Sequence, residues 1–391
     1  MQSSLCKTVI PVGSLGILGG GQLGLFFTIA AQKMGYSVVV LDPDDKSPAG
    51  KIANKHICKP YDDLEALDQL KAICRLVTTE FENIPAETLR YLEKDIIVRP
   101  SSKAISIAQN RIKEKEFLKK CGMPVGTYFV IDTIESISKL DSNKVLIFPG
   151  ILKKAEFGYD GKGQIHVNNK DELEAAFIAF NSTPCTLELK LDLDSEFSVV
   201  LARSVDAQFV VYPVIRNHHE AGILDVSFIS GIDPEGEQSA CISLAKKVAN
   251  ELSYIGVMAV EFFISQGNIF VNEIAPRPHN SGHFSIDACG YNQFDQQVLT
   301  LTGNNLRKEA TQFPKSAMLN ILGDLWFRDE LLREPKFEMI AGPGVILHLY
   351  GKDQPRKGRK MGHITILGLL GQTGEEVLQR VEEVRKILLE N

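Results

Sequence analysis

Asn272-Glu273-Ile274-Ala275-Pro276-Arg277-Pro278-His279-Asn280-Ser281-Gly282-His283 closes an apolar strand that begins at Ile269. A carboxylate, an arginine, two histidines and amides crowd together there, and two prolines stiffen the exit. A strand interior does not tolerate such a set, because each buried charge needs a partner. A strand end that carries chemistry does.

The residues just before this run give it a partner strand. Residues 257–264 and 269–274 read as two arms of a hairpin around Gln266-Gly267-Asn268. With Gly267 at the centre of an odd-length loop, Glu261 and Glu273 fall opposite each other on the same face. Two like charges so placed repel unless a cation lies between them. An all-oxygen pair suits Mg2+ held jointly with phosphates. The apolar neighbours Val260, Phe262, Phe263 and Ile264 put the pair on a buried sheet rather than a solvent face.

Working outward, the first hundred residues alternate strand and helix. Strands are expected at 15–18, 37–41, about 57, 76–79 and 96–98, and helices at 22–34 and 62–73, with Gly35 as a stop signal. That rhythm predicts an open parallel α/β sheet, preceded by a short extension over 1–14. A basic helix is expected over 109–120. Strands at 145–153, 164–167, 187–188 and 196–202 with a helix at 171–180 read as a small α+β lobe. An amphipathic helix at 239–252 precedes the hairpin, and strands at 344–350 and 362–367 with a helix at 374–389 end the chain. The domain division is 1–110, 111–306 with its small lobe at about 121–190, and 307–391.

Three further motifs bind anions by type. Gly19-Gly20-Gly21-Gln22-Leu23-Gly24 is a G-x-G-x-x-G between strand and helix, where glycines and helix N–H groups let an anion approach. Asp42 ends the second strand, where a dinucleotide site keeps its ribose-binding acid. Alone, this motif fits a nucleotide, another phosphate or close packing equally. Lys153 followed by Gly158-Tyr159-Asp160-Gly161-Lys162-Gly163 reads as a flexible flap whose amides could cover phosphates. Lys352, Arg356, Lys357, Arg359, Lys360 and His363 form a basic run bounded by strands and glycines; most such runs are solvated faces.

Composition narrows the classes. A chain of 391 residues is long enough for two or three domains. The formal charge of −6 argues against a general nucleic-acid role. The seven cysteines are scattered and make no CxxC pair, which reads as reduced thiols in a cytoplasm rather than a disulfide frame or zinc site. No apolar run is long enough to span a membrane, and no signal peptide is read.

Flap, lysine, carboxylate hairpin and small middle lobe together resemble the ATP-grasp superfamily, whose enzymes use ATP to make an acyl phosphate that a nucleophile attacks. Glu273-Ile274-Ala275 lacks the asparagine of the common Glu-x-Asn pattern. Glu-x-Ala-Pro-Arg-Pro-His-Asn-Ser-Gly-His instead resembles the purine-biosynthesis branch, and within it the N5-carboxyaminoimidazole ribonucleotide synthetase family. Thr79-Glu80-Phe81-Glu82, Tyr350-Gly351-Lys352 and Gly358-Arg359-Lys360 agree, and the resemblance runs from about residue 15 to about 367. Lys162 is a departure, since some members carry arginine there.

The resemblance implies an N-terminal Rossmann-like domain, central ATP-grasp lobes and a small, mainly β C-terminal domain. It implies carboxylation of 5-aminoimidazole ribonucleotide with ATP and bicarbonate, a Mg2+ requirement and a homodimer. For ATP it implies phosphate contacts from Arg111 and Lys153 and cover from Gly158, Tyr159, Asp160, Gly161, Lys162, Gly163 and Gln164. Glu188, Leu189, Lys190 and Leu191 would form the adenine hinge, with Glu196 at the ribose and His219 nearby. Glu261 and Glu273 would bind the metal, with Asn272 supporting their strand. Arg277, His279 and Asn280 would cradle bicarbonate and its phosphorylated form, with Lys162 and Lys352 completing the cage. His279 is the first candidate for proton transfer and His283 the second. Gln22 and the glycine loop, with Lys352, Arg359 and Lys360, would bind the ribonucleotide's phosphate and ribose; Glu80, Tyr159 and Asp160 would approach its imidazole. Three rivals stand beside this: a nicotinamide dehydrogenase, which accounts for residues 15–42 alone; an ATP-grasp ligase for another acid such as formate; and a catalytically dead nucleotide sensor, which has no need of paired glutamates.

Overall fold

The structure is a computed structural model that describes residues 13–140, 147–156, 158, 163–229, 236–308, 311–328 and 331–390. Residues 1–12 of the extension expected over 1–14, the start of the strand expected at 145 and the flap tip Tyr159, Asp160, Gly161 and Lys162 lie outside the described residues; Ser14 already belongs to the first strand.

β-branched runs build the first sheet. Ser14–Leu18 is central, Ser37–Leu41 and Lys55–Ile57 lie to one side, and Cys74–Thr79 and Ile97–Val98 to the other, all parallel. The helix Gln22–Lys33 follows the first strand directly and packs Phe26, Phe27, Ala30 and Ala31 onto the sheet. Gly19 turns the chain at φ +103, a conformation that side-chain-bearing residues rarely adopt.

The basic helix expected over 109–120 is present from Arg111, and a separate helix, Ser102–Ala108, precedes it. Asn110 is extended (φ −127, ψ 112), and its side chain accepts the N–H groups of Ile112 and Lys113, starting a new helix at Arg111–Lys120 after Ser102–Ala108. An asparagine that bonds its own following amides favours a cap over a helix interior. The break aims Arg111, Glu114 and Lys115, one face of the new helix, at the hairpin.

The small lobe is a four-stranded antiparallel sheet from Tyr128–Ile131, Cys185–Leu189, Gly150–Lys154 and Gln164–Val167. It has its own core around Leu152, Leu173, Phe177 and Leu187. The strands Asn268–Ala275, Gly256–Ser265, Ser195–Arg203, Ile215–Glu220 and Ile223–Ile229 run side by side in a nine-stranded sheet. Ser316–Leu322, Lys360–Leu367 and Val345–Leu349 then extend that same sheet. Residues 307–391 therefore add three strands to the central sheet, besides a two-stranded ribbon of Phe327–Arg328 and Leu331–Leu332.

The hairpin reaches the expected pairing by a different route. Its turn has two residues, Gln266 and Gly267, at φ +50 and +71. Ser265 pairs with Asn268, and the register holds to Phe262 opposite Val271. That register would put Glu261 opposite Asn272. A bulge between Glu261 and Phe262 inserts one residue and brings Glu261 opposite Glu273.

Candidate active site

The three sheets converge on a cavity of about 630 Å³. The described residues to which the resemblance gives a role line it, except Lys352, Arg359, His283 and the glycines of the 19–24 loop; Arg356, Lys357 and His363 of the basic run also lie off it.

On the small-lobe side, three cations surround one carboxylate. Lys153 Nζ lies 3.1 Å from Glu188 Oε2, Lys115 Nζ 3.5 Å from the same atom, and Arg111 Nη1 3.6 Å from Oε1. Burial alone would raise the Glu188 carboxyl, but Lys153, Lys115 and Arg111 together hold it well below the usual carboxylate range. Its side chain therefore serves the cations. Burial lowers Lys153 despite Glu188. Glu114 accepts the Ile274 N–H at 2.5 Å, and burial together with the Glu273 charge pushes it up to about 8 against the opposing pull of Arg111.

On the hairpin, burial and the charge of Glu273 push Glu261 up to about 7. Arg111 Nη2 stands 3.4 Å from Glu273 Oε2. Beside the pair, the buried Asn272 Oδ1 has no hydrogen-bond partner among the described residues. Two facing carboxylates and an unpartnered amide oxygen, all hard donors, fit Mg2+. His219 Nδ1 lies 2.8 Å from Glu196 Oε2, and this contact with the Glu261 charge raises it against its burial.

The loop after the hairpin is fixed from behind by Gln293. Its Oε1 accepts the His279 N–H and its Nε2 donates to the His279 carbonyl, each at 2.8 Å. The Ser281 N–H donates to His279 Nδ1, so the ring proton sits on Nε2, 3.3 Å from Glu261 Oε1. Burial, then the charges of Arg277 and Lys360, hold His279 well below the usual imidazole range, hence neutral. Arg277 grips Glu82, with Nε 2.5 Å from Oε2 and Nη2 3.2 Å from Oε1. Asn280 lines the cavity with both amide atoms buried and unpartnered among the described residues.

On the first-sheet side the glycine loop already has its anions. Gly21 and Leu23 donate their N–H groups to Glu80 at 2.5 and 3.2 Å, and Gly20 donates to Asp42 at 2.7 Å. A Cβ at Gly21 would collide with the Glu80 carboxylate. The expectation that these amides bind the ribonucleotide phosphate is corrected: internal carboxylates hold them. Asp42 also accepts the Tyr61 hydroxyl at 2.7 Å, so the acid of the dehydrogenase reading is engaged within the fold. Burial pushes Glu80 up to about 7. Lys352 donates to Gln22 Oε1 at 2.6 Å and to the Lys360 carbonyl at 2.7 Å, one bond behind the cavity wall that Gln22 and Lys360 form. Arg359 donates to the Gln354 carbonyl on the outside. His283 is a correction. It is fully buried behind the loop, bonded to Gln293 at 3.2 Å, and takes no part in the cavity wall.

Glu82 stands in the Thr79–Glu82 motif without an assigned role, and Glu114, Lys115 and Gln293 are not singled out from sequence. The spacing 111, 114, 115 on a helix was the available signal for two of them; Gln293 had none.

An ATP-binding cleft between a small antiparallel lobe and a sheet bearing paired carboxylates defines an ATP-grasp ligase, and family models agree. The ATP-grasp domain matches residues 116–294, the ribonucleotide synthetase preATP-grasp domain residues 12–109, and the phosphoribosylaminoimidazole carboxylase C-terminal domain residues 316–380. An N5-carboxyaminoimidazole ribonucleotide synthase from Staphylococcus aureus (strain COL) is 38% identical over 372 residues, covering 94% of this chain and 96% of the relative. The namesake from Bacillus subtilis (strain 168) is 37% identical over 92% of this chain and 93% of its own. The chain belongs to the N5-carboxyaminoimidazole ribonucleotide synthase family. Among solved structures, the Staphylococcus aureus synthetase complexed with ADP superposes with a TM-score of 0.88 at 35% identity, over 98% of each chain. The Aspergillus clavatus synthase in complex with ADP and 5-aminoimidazole ribonucleotide gives 0.86 at 27% identity, over 98% of this chain and 100% of that one.

Proposed function

We propose that the chain catalyses ATP + bicarbonate + 5-aminoimidazole ribonucleotide → N5-carboxyaminoimidazole ribonucleotide + ADP + phosphate. The observation that carries this reading is the convergence on one cavity of the Arg111–Lys115–Lys153 cations, the Glu261–Glu273 pair, the Arg277–His279–Asn280 loop, and Gln22 and Lys360, to both of which Lys352 is bonded from behind.

Bicarbonate is a poor electrophile because hydroxide leaves badly. Transfer of the γ-phosphoryl group to a bicarbonate oxygen gives carboxyphosphate and ADP. The exocyclic amine then takes the carboxyl carbon, phosphate leaves, and the nitrogen loses a proton. Arg111, Lys115 and Lys153 bind the ATP phosphates, with Glu188 as their shared counterion. Glu261 and Glu273 would hold Mg2+, which supplies charge neutralisation on the transferring phosphoryl group. Arg277, oriented by Glu82, and the amide of Asn280 hold bicarbonate, matching positive and donor groups to its charge. His279, neutral with its proton on Nε2, would be the group that transfers a proton in this step; its Nδ1 is tied to Ser281. Glu80, with Tyr159 and Asp160 of the flap, faces the imidazole, and Lys352, Lys360 and Arg359 attract the ribonucleotide phosphate. Lys162 and the rest of the flap cover the intermediate against water. Bicarbonate as the acid, a cytoplasmic setting and a homodimer belong to the same reading. Among the described residues no helix is long and apolar enough to cross a membrane, and all six described cysteines are free thiols.

The test is ADP release from MgATP by the purified protein, with and without each co-substrate. Release that depends on the ribonucleotide and rises with bicarbonate is expected. Release driven equally by formate would move the assignment to another acid, and NADPH binding without ATP turnover would revive the dehydrogenase.

A further inference from the structure

A second cluster of chemistry-bearing side chains lies behind the cavity wall, where Val345–Leu349 and Lys360–Leu367 meet the short helix Ser285–Ala288. His348 and His363 are cross-strand partners with stacked rings, centroids 4.6 Å apart and planes at 21°. Asp287 faces them from the helix, its carboxylate oxygens 2.9 and 3.1 Å from His348 Nε2. Donor atoms of Asp287, His348 and His363 all lie within 4.8 Å of one another. None of the three lines the cavity, and the carboxylation chemistry uses none of them.

His363 is the informative member. It is fully buried, its Nδ1 lies 2.9 Å from the Tyr350 hydroxyl, and its Nε2 has no hydrogen-bond partner among the described residues. Leaving a buried polar atom unmatched costs about 1–3 kcal/mol, so such an atom asks for a reason. Burial, reinforced by the neighbouring His283 and His348, holds the ring well below the usual imidazole range, hence neutral. In the tautomer that donates Nδ1–H to the Tyr350 hydroxyl, Nε2 presents a lone pair. A ring nitrogen fixed by an outer partner while the other faces inward is how proteins hold a metal-binding imidazole. Asn320, the cross-strand partner of His363, and Thr365, two residues along, also bear unpartnered buried oxygens.

His283 is excluded as a fourth ligand by its tautomer. Gln293 Oε1 accepts from the His279 amide, so Gln293 Nε2 is the donor to His283 Nδ1. The His283 proton then sits on Nε2, which has no lone pair to offer. The donor set is one carboxylate and two imidazoles. The Asp287 and His348 side chains remain 11% and 21% exposed, which leaves an entry path from solvent.

We propose that Asp287, His348 and His363 bind one divalent transition-metal ion of the zinc class, at a site separate from Glu261 and Glu273. Imidazole nitrogens with a carboxylate suit Zn2+ and leave a fourth position open, whereas the all-oxygen glutamate pair suits Mg2+. On binding, the ion takes the place of the His348 Nε2 proton, which leaves to solvent while Nδ1 takes one up, so the imidazole stays a neutral ligand. The bound ion clamps Val345–Leu349 and the Lys360-bearing strand Lys360–Leu367 against the helix Ser285–Ala288 that follows the His279 loop.

The test uses the full chain, stripped by a chelator and titrated with Co2+ in excess Mg2+, which keeps the glutamate site filled. Visible d–d absorption and thermal melting are the readouts. One equivalent of saturable Co2+ binding, displaced by Zn2+ and accompanied by a rise in Tm, is expected. Asp287→Asn keeps an oxygen for His348, and His363→Gln keeps a polar side chain beside Tyr350; each should weaken Co2+ binding at least about 10-fold. Circular dichroism of the variants separates lost binding from lost folding. Absence of saturable binding in the wild type overturns the proposal. So does equal affinity in folded variants, or a near-ultraviolet thiolate charge-transfer band, which would place the ion on a cysteine such as the exposed Cys58.

Discussion

Arg277 and Glu82 stand 195 positions apart in sequence and meet in a two-point ion pair at the floor of the cavity. Burial opposes the charge on each. The pair nonetheless raises the arginine above its ordinary range and lowers the glutamate below its own. The contact ties the end of the first sheet to the loop that follows the hairpin. It also aims a guanidinium that would otherwise swing.

Glu82→Gln should leave the fold intact and release that orientation. Misplacing a positioning group by an ångström costs about 10²-fold in rate. A fall in kcat of that order with an unchanged KM for ATP is expected from steady-state ADP release. A larger rise in ATP KM than fall in kcat would instead put Glu82 on the nucleotide side.

Glu261→Gln removes one of two facing charges. ADP formation should drop by at least about 10²-fold, the scale of losing one transition-state contact, while Tm without Mg2+ stays level or rises because a repulsion is gone. Full activity in this variant would remove the metal assignment.

Glu114 has a pH signature. Its carboxyl is pushed up to about 8 in the fold, against about 4.3 in an unfolded chain. Between those values the native state binds more protons than the unfolded state, so stability falls as pH rises and levels off above the folded value. Glu114→Gln should therefore be more stable than the wild type at pH 9, by an amount on the order of a few kcal/mol, and lose that advantage towards pH 4. Parallel melting curves of the two proteins across this window would contradict the shift.

Gln266 holds a left-handed conformation at φ +50 ahead of Gly267. Asparagine is the residue that two-residue hairpin turns favour there, and Gln266→Asn should stabilise by up to about 1 kcal/mol. For a chain of this size the expected rise in Tm is about 1–2 °C, read by calorimetry, with no change in kcat.

How far the sequence could be read follows from what each residue depends on. The parallel first sheet was legible because β-branched runs and glycine stops are local signals. The facing of Glu261 and Glu273 was legible in outcome but not in cause, since a shorter turn and a bulge at Asn272 cancel in the count. Asn110 was visible as a residue, yet only its backbone conformation reveals that it caps a second helix. Glu82 and Gln293 matter through partners far away in the chain, and no periodicity encodes such a meeting. His283 misled because two histidines four residues apart need not face the same side once the chain winds into the 3-10 turn Asn280–Phe284. The glycine loop misled in a related way: its amides attract an anion, as the motif promises, but the anion belongs to Glu80.

The shared ladder between Ile223–Ile229 and Ser316–Leu322 has a consequence for how the chain can be cut. Three family segments follow one another along the sequence, but the last completes a sheet begun by the second. Ending the chain at residue 306 would bare a seven-residue edge strand, an invitation to pair with another molecule. It would also carry away Lys352 and Lys360. Loss of the last segment should therefore surface as aggregation before it can be measured as lost affinity for the ribonucleotide.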